Sequence, residues 1–451
     1  MAALRDRALP RRDVRPSFRA PSGQLESLSP MTNASDCVGP CGPAERPAAE
    51  TRGAELVPVT APHGAALGQF ALSIGGLAIG TGEFAAMGIL PSVAADVGAT
   101  IPETGHMISS YALGVTVGAP LIAVAFARAP RRALLIGLMA FFLAGNVASA
   151  LATSYGAVVA ARFLAGLPHG AYFGVAMLFA ASMVPASRRG QAAANVLLGL
   201  SVANVVGVPA ATWLGQAFGW RATFIAVAGL AAATIALVRL LTPEVSPSAA
   251  ASPMRELGAL KRPQVWLTLG VAAIGFGGIF AVYSYVSPTL TEVTGLSSAM
   301  VPPMLAVLGL GMIAGNVAGG LLADRALKAT MAGVLIYSAA TLGLFVFASA
   351  NPWTAALNLF LIGGCIAMGP ALQTRLMDVA GDAQTLAATL NHSAFNVANA
   401  LGAWLGGIAI ATGYGWTSPG WVGAILAVGG LAILCVSLAL ERSSNAARRS
   451  A

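Results

Sequence analysis

Glu83 is a carboxylate within the otherwise apolar stretch GLAIGTGEFAAMGILPSV, residues 76–93. A charge at bilayer depth costs about 2.5–3.5 kcal/mol, so such residues usually face a bundle interior or a water-filled cavity. Loss of water around a carboxyl group favours its neutral, protonated form. The chemistry that Glu83 could perform there is reversible proton binding, and we predict that it carries a proton.

Arg162 is a second charge within an apolar stretch, ARFLAGLPHGAYFG. Helix rise puts Arg162 and Glu83 at similar depth, each about 10 Å from the same end of its predicted helix. Pairing with Arg162 would favour the ionised form of Glu83, and separation would favour protonation, which is one way to couple a proton to helix movement. The alternatives are a static buried ion pair or an Arg that reaches to the membrane surface.

Further polar and aromatic residues are candidates for a ligand cavity. His392, Asn396 and Asn399 follow the spacing i, i+4, i+7 and form one polar stripe on a helix. Facing a cavity, the stripe would bind substrate, whereas facing another helix it would hold the helices together. His169 follows a proline, and packing, ligand and relay roles are open for it. The aromatic residues predicted to line the cavity are Tyr111, Phe173 and Tyr283.

The composition predicts the elements that hold these residues. Hydrophobic residues make up 57% of the chain and charged residues 9%, with a mean hydropathy of +0.76, whereas a soluble domain is about a quarter charged. About 20 apolar residues cross a bilayer as a helix. We therefore predict an all-α membrane protein with twelve transmembrane helices, near 67–90, 105–127, 133–152, 156–181, 190–212, 221–241, 263–286, 301–323, 329–349, 353–374, 385–410 and 419–440.

The distribution of basic residues predicts the orientation of the chain. Short loops rich in Arg and Lys stay cytoplasmic, and nearly all basic loop residues fall on one side of the twelve predicted spans. The opposite loops hold only Arg221, with Asp96, Glu103 and Glu292. Both termini are predicted to be cytoplasmic, and the protein to lie in the plasma membrane, that is, a bacterial inner membrane. This charge bias explains the net charge of +8 without a nucleic-acid partner.

The first 66 residues differ from the rest of the chain. They are rich in Arg, Pro, Ser and Ala and have no apolar run, so we predict a disordered cytoplasmic tail over 1–66. Met31 is an alternative start. Cys37 and Cys41 have no further ligands nearby, and we expect no metal site, no disulfide and no cofactor.

The remaining chain contains an internal repeat. YALGVTVGAPLIAVAFAR (111–128) matches LGLGMIAGNVAGGLLADR (308–325) at an offset of 197, and three other spans recur at similar offsets. We predict two parallel six-helix halves, 67–241 and 263–440, joined by a cytoplasmic linker over 242–262 and followed by a tail over 441–451. This architecture is used by secondary transporters. Glu83 and Arg162 have no charged counterpart in the second half, since Gly278 and Leu359 occupy the matching positions.

These motifs resemble the major facilitator superfamily, and within it the drug:proton antiporters near the arabinose-efflux and chloramphenicol-resistance permeases. GGLLADRALK (319–328) is similar to the family's cytoplasmic gate motif, which implies gate roles for Asp324, Arg325 and the matching Arg128. RFLAGLPHG resembles the fourth-helix motif whose Arg, here Arg162, is implicated in proton coupling. The resemblance implies a proton-coupled efflux carrier of small organic molecules, with drugs as the expected cargo and sugars or nucleosides as the alternative.

An enzyme or a non-transporting sensor is the competing class of function. An enzyme needs a positioned nucleophile, base or metal set, and the chain has only four His and no His-Glu-x-x-His motif. We therefore predict a transporter and not an enzyme. Its expected partners are a small molecule, protons and the lipid bilayer, and we expect a monomer.

Overall fold

The computed structural model describes residues 62–126, 128–185, 188–243, 261–381 and 384–450. The predicted N-terminal tail up to residue 61 and most of the predicted linker lie outside the described residues. All described residues belong to one compact unit. Their regular structure is entirely helical, because a helix satisfies every backbone hydrogen bond within its own segment.

Residues 62–243, which we call the first half, contain ten α-helices. They are α1 Pro62–Gly88, α2 Leu90–Val97, α3 Ile101–Thr104, α4 His106–Ala125, α5 Arg131–Leu151, α6 Tyr155–Gly166, α7 His169–Ser182, α8 Arg189–Val202, α9 Val208–Phe218 and α10 Trp220–Leu241.

Residues 261–450, which we call the second half, contain seven α-helices. They are α11 Pro263–Gly270, α12 Gly277–Glu292, α13 Val301–Ala348, α14 Pro352–Gly364, α15 Met368–Ala380, α16 Gln384–Ala409 and α17 Ser418–Ser450.

Ten helical segments in the described part of the chain are long and apolar enough to cross a membrane. One of them, Ser298–Ala348, covers two predicted spans. Its backbone leaves helical values at Ala326 (φ −157°, ψ 74°), where α13 is bent. α4 covers a further predicted span and is not among the ten.

Several long segments are interrupted by irregular turns. A π-helical turn, Ala203–Gly207, joins α8 to α9 directly before Pro209. Proline has no backbone N–H and so breaks the regular helical bonding, which explains a bend at this place. A second π-helical turn, Val271–Gly275, joins α11 to α12 without a proline.

Glycine contacts between helices recur in the two halves. A Cβ on Gly114 would collide with the carbonyl oxygen of Phe163, and a Cβ on Gly311 with that of Phe360. Both pairs are related by the offset of 197 found in the sequence. The absence of a side chain lets the helix backbones approach closely. The repeated sequence therefore produces a repeated helix contact, α4 against α6 and α13 against α14.

The two ends of the bundle differ in which loops they hold. One end, which we call the loop end, holds the connections after α1, α5, α9, α12, α13 and α16. At this end Arg221 pairs with Asp96 at 2.7 Å and donates to the carbonyl of Ala152. The bond from Arg221 holds the pKa of Asp96 below its usual value. The terminal end holds the start of α1 and the end of α17, where Arg375 and Lys328 each bind Glu441 at 2.9 Å.

Candidate functional site

Glu83 lies on α1 at the contact between the two halves, where only 6% of it is exposed. Its Oε1 accepts a hydrogen bond from Nδ2 of Asn399 on α16 at 3.0 Å. Its Oε2 lies 3.9 Å from Nδ1 of His169 on α7. The acid therefore lies next to polar groups of both halves, and its hydrogen bond comes from the second half.

His169 connects Glu83 to a row of rings. The hydroxyl of Tyr111 lies 3.1 Å from His169 Nδ1, and the Phe173 ring lies 5.4 Å from the His169 ring. Phe173 in turn stacks on His392 of the second half, with ring centres 5.8 Å apart and planes 6° apart. The structure thus brings together four residues that the sequence predicted separately as cavity residues.

Arg162 is fully buried beside this cluster. Its Nη2 donates to the carbonyl of Gly82 at 2.9 Å, one residue before Glu83, and its guanidinium lies over the rings of Tyr111 and Phe224, at 4.2 Å and 5.2 Å. No ion pair joins Arg162 to Glu83 among the described residues. Arg162 therefore binds the α1 backbone next to Glu83, while the direct hydrogen bond to the acid comes from Asn399.

The predicted polar stripe on α16 splits into three separate environments. Asn399 binds Glu83, and His392 stacks on Phe173. Asn396 donates to the carbonyl of His392 in its own helix at 3.0 Å. Asn399 therefore contacts the first half through a hydrogen bond and His392 contacts it through its ring, whereas Asn396 bonds only within its own helix.

Tyr283 on α12 completes the centre of the interface. Its ring stacks on Phe84 with centres 5.5 Å apart, and Phe84 directly follows Glu83. The Tyr283 side chain is fully buried, and its hydroxyl has no hydrogen-bond partner in the described residues. A buried hydroxyl without a hydrogen-bond partner is costly.

The predicted gate residues are exposed, and they form no ion pair with one another or with other described residues. Asp324 and Arg325 lie next to the bend at Ala326, and Arg128 lies between α4 and α5. The ion pairs at this end instead connect Glu441 to Arg375 and Lys328. Sequence reasoning missed that cluster because its members are 47 to 113 residues apart and belong to no common motif.

A cavity of about 270 Å³ lies at the terminal end of the first half. It is lined by α1, by α8 and by the residues that follow α7, and the amide of Asn195 donates to Gln69 there at 2.7 Å. None of the predicted cavity residues lines it.

Comparison with known proteins places this arrangement in a family. The sequence profile of the Major Facilitator Superfamily matches residues 72–391. The inner membrane transport protein YdhP of Escherichia coli K12 is 41% identical over 373 residues, which cover 82% of this chain and 95% of the relative. The chloramphenicol resistance protein of Streptomyces lividans is 34% identical over 366 residues, covering 79% and 92%.

The fold is also found among solved structures. The crystal structure of a D-xylose-proton symporter aligns with a TM-score of 0.64 at 18% sequence identity, covering 81% of this chain and 96% of that one. At this identity the likeness concerns the fold alone.

Proposed function

The chain belongs to the major facilitator superfamily, a family of membrane transporters and not of enzymes, and from this premise we propose a proton-coupled efflux carrier of small organic molecules that works by alternating access. The observation that carries the proposal is Glu83, a buried acid at the contact between the halves, which accepts a hydrogen bond from Asn399 of the second half and lies 3.9 Å from His169 of the first. The name of the YdhP relative supports a place in a bacterial inner membrane.

The proposed topology has twelve spans with both termini cytoplasmic. Ten apolar segments, the bend at Ala326 that divides one of them, and α4 together supply twelve crossings. The terminal end would be cytoplasmic because its loops carry nearly all the basic residues. The recurring glycine contacts support two six-helix halves, 67–241 and 263–440, in parallel orientation.

The proposed conformational change opens one end while the other closes. At the loop end the halves touch through Gln216, which donates to the carbonyl of Ser298 at 2.9 Å, and through Tyr285, whose phenol lies against Gly105. These contacts support the proposal that this conformation is closed to the outside.

Glu83 is the proposed proton carrier, with Arg162 as its electrostatic partner. In the cycle, a proton from the outer side binds the Glu83 carboxylate and later leaves to cytoplasmic water. Exchange of one proton for one neutral cargo moves a net charge, so a membrane potential contributes about 2.3 kcal/mol per 100 mV. Arg162 stays buried over Tyr111 and Phe224 and supplies a fixed positive charge near the carboxyl group.

The cargo is proposed to bind between the halves, among Tyr111, His169, Phe173, Tyr283 and His392. Aromatic walls with few charges suit a compact, mostly apolar molecule, and the chloramphenicol-resistance relative supports a drug. A sugar or nucleoside is the alternative cargo. Opening the terminal end further, with Asp324, Arg325 and Arg128 as the proposed cytoplasmic gate, would expose these residues.

The experiment is transport into proteoliposomes with an acidic lumen, using chloramphenicol, an aminonucleoside and a pentose as separate probes. Proton-coupled efflux predicts accumulation of one probe in the lumen and loss of that accumulation when a protonophore is added. Accumulation that persists after the proton gradient has collapsed would contradict the proposal. Accumulation of the pentose alone would replace the drug by the alternative cargo.

A further inference from the structure

Asn399 reaches Glu83 from the opposite half of the molecule. Both side chains are buried. Between described residues, theirs is the one hydrogen bond that joins side chains of the two halves. The other hydrogen bonds between halves end on a backbone carbonyl, namely those from Ser109 to Ala400, from Thr116 to Ser393 and from Gln216 to Ser298. A carbonyl does not change its charge, whereas Glu83 does, so the Asn399 bond alone reports the protonation of the acid.

α16 fixes Asn399 in place relative to the first half. Ser109 Oγ donates to the Ala400 carbonyl at 3.0 Å, and Thr116 Oγ1 to the Ser393 carbonyl at 3.4 Å. The two contacts lie seven residues apart on each helix, so α4 and α16 run antiparallel in contact over two turns. In the proposed cycle, opening of the loop end would separate these helices and withdraw Asn399 from Glu83.

The other groups around Glu83 do not separate from it in the same way. His169 and Arg162 belong to the first half and move with α1. Tyr283 comes from the second half, but its contact is a ring stack on Phe84. Asn399 is thus the group whose hydrogen bond to the acid depends on closure.

The strength of that bond depends on the charge of Glu83. A hydrogen bond to an ionised acceptor is about twice as strong as a neutral one, and a buried charge that loses its partner is strongly unfavourable. Opening is therefore hindered while Glu83 is ionised and becomes easier once Glu83 is protonated. A cargo that donates its own N–H or O–H to Glu83 would have the same effect as protonation.

We propose, on the basis of the proposed function, that Asn399 is a positioning residue that keeps the loop end closed while Glu83 is ionised. The closure lasts until a cargo with an N–H or O–H group replaces Asn399 as the hydrogen-bond donor to Glu83. The empty carrier then cannot open outward, collect a proton and return. Asn399 in this way prevents a proton leak in the absence of cargo. The cargo class narrows to molecules with at least one hydrogen-bond donor.

The test is proton leak in proteoliposomes without any cargo, followed with a pH-sensitive dye trapped in the lumen. Asn399→Leu and Asn399→Ala remove the donor, and we expect each to raise the leak about tenfold over wild type, which corresponds to about 1.4 kcal/mol. Two variants are made so that the test can be done if only one of them gives folded, monodisperse protein. The double variant Glu83→Gln/Asn399→Leu should return to the wild-type leak, because it has no carboxylate to carry the proton.

Asn391→Leu is the matched control. Asn391 is a buried amide on the same helix, and it bonds Gln373 at 2.7 Å within the second half; its replacement should leave the leak at the wild-type level. A wild-type leak in folded Asn399→Leu and Asn399→Ala would overturn the role of Asn399 and leave the proposed carrier intact. A leak that persists in the double variant would instead show that the proton does not travel on Glu83, which would contradict the proposed function itself.

Discussion

Arg162 illustrates how a single buried charge is accommodated. Its Nη2 bonds the Gly82 carbonyl, while Nε and Nη1 have no hydrogen-bond partner among the described residues. Stacking over Tyr111 and Phe224 compensates part of the lost hydration, since a cation over an aromatic face is stabilised by about 2 kcal/mol when desolvated. We therefore expect the site to need the planar, delocalised guanidinium and not only a positive charge.

Arg162→Lys keeps the charge but loses this geometry, and we expect uphill transport to fall at least about tenfold. Arg162→Gln also removes the charge next to Glu83 and is expected to abolish uphill transport. A hydrogen bond from a charged donor contributes about 1.5–3 kcal/mol, so thermal unfolding should show a loss of that order in both variants. Rates and melting temperatures are measured in parallel.

Arg239→Gln is the control, because Arg239 is exposed in the last turn of α10. It should leave both quantities unchanged. Wild-type transport by Arg162→Lys would show that the charge alone suffices.

At the residue scale, the sequence predicted the positions better than the partners. Helix rise alone predicted that Arg162 and Glu83 lie at similar depth in the membrane. In the structure the Arg162 side chain donates to the carbonyl of Gly82, the residue before Glu83. The bond from Asn399 was not predicted, although the residue was singled out as part of a polar stripe. Which residue of the stripe meets Glu83 depends on the rotation of α16 about its axis, and the residue spacing does not specify that rotation.

At the scale of elements, the proposed closure of the loop end depends on a close contact between Gly105, directly before α4, and Tyr285 on α12. The Tyr285 hydroxyl donates to the Ala403 carbonyl at 2.8 Å. A Cβ on Gly105 or on Gly407 would collide with that hydroxyl. Both glycines must stay without side chains for the phenol to lie between the halves.

Gly105→Ala is therefore expected to favour opening of the loop end. In a cysteine-free background carrying Ser109→Cys, an impermeant maleimide added at the loop end should react at least about threefold faster than without the change. Gly105 has ordinary helical backbone angles (φ −55°, ψ −23°), so the methyl group acts through the Tyr285 contact and not through backbone strain.

The control for this change is Gly156→Ala, at a glycine of α6 where an added Cβ would meet nothing within 4 Å. Its labelling rate should match the parent protein. Equal labelling rates for Gly105→Ala and Gly156→Ala would show that the contact between Gly105 and Tyr285 does not keep the loop end closed.

The irregular turns show what local sequence can predict about elements. The turn Ala203–Gly207 ends two residues before Pro209, whose missing backbone N–H is visible in the sequence. The turn Val271–Gly275 contains no proline and was not predicted. Its last residue, Gly275, packs against Gly430, so a tertiary contact accompanies this irregularity.

At the scale of the whole molecule, the repeat predicted how each half is packed. The glycines matched at an offset of 197 make equivalent contacts with α6 and α14. The repeat could not predict the contact between the halves, because internal similarity describes the packing within each half and not the angle at which the two halves meet. The residues that do not recur in the repeat lie at that contact. Glu83 accepts a hydrogen bond from Asn399, whereas Gly278, at the matching position of the second half, packs against Gly423.

Proton-driven accumulation of cargo by Glu83→Gln tests most directly whether Glu83 is the proton carrier. Gln keeps the size and accepts the Asn399 bond but cannot release a proton. In proteoliposomes with an acidic lumen, wild type should concentrate the cargo, whereas Glu83→Gln should only equilibrate it.

Glu103→Gln serves as the control in the same assay. Glu103 is an N-terminal capping residue of α3 at the loop end, where Gln preserves the capping role, so this variant should transport at the wild-type rate. We expect uphill transport by wild type and Glu103→Gln and none by Glu83→Gln. Accumulation by Glu83→Gln at the wild-type rate would contradict the role of Glu83 as the proton carrier.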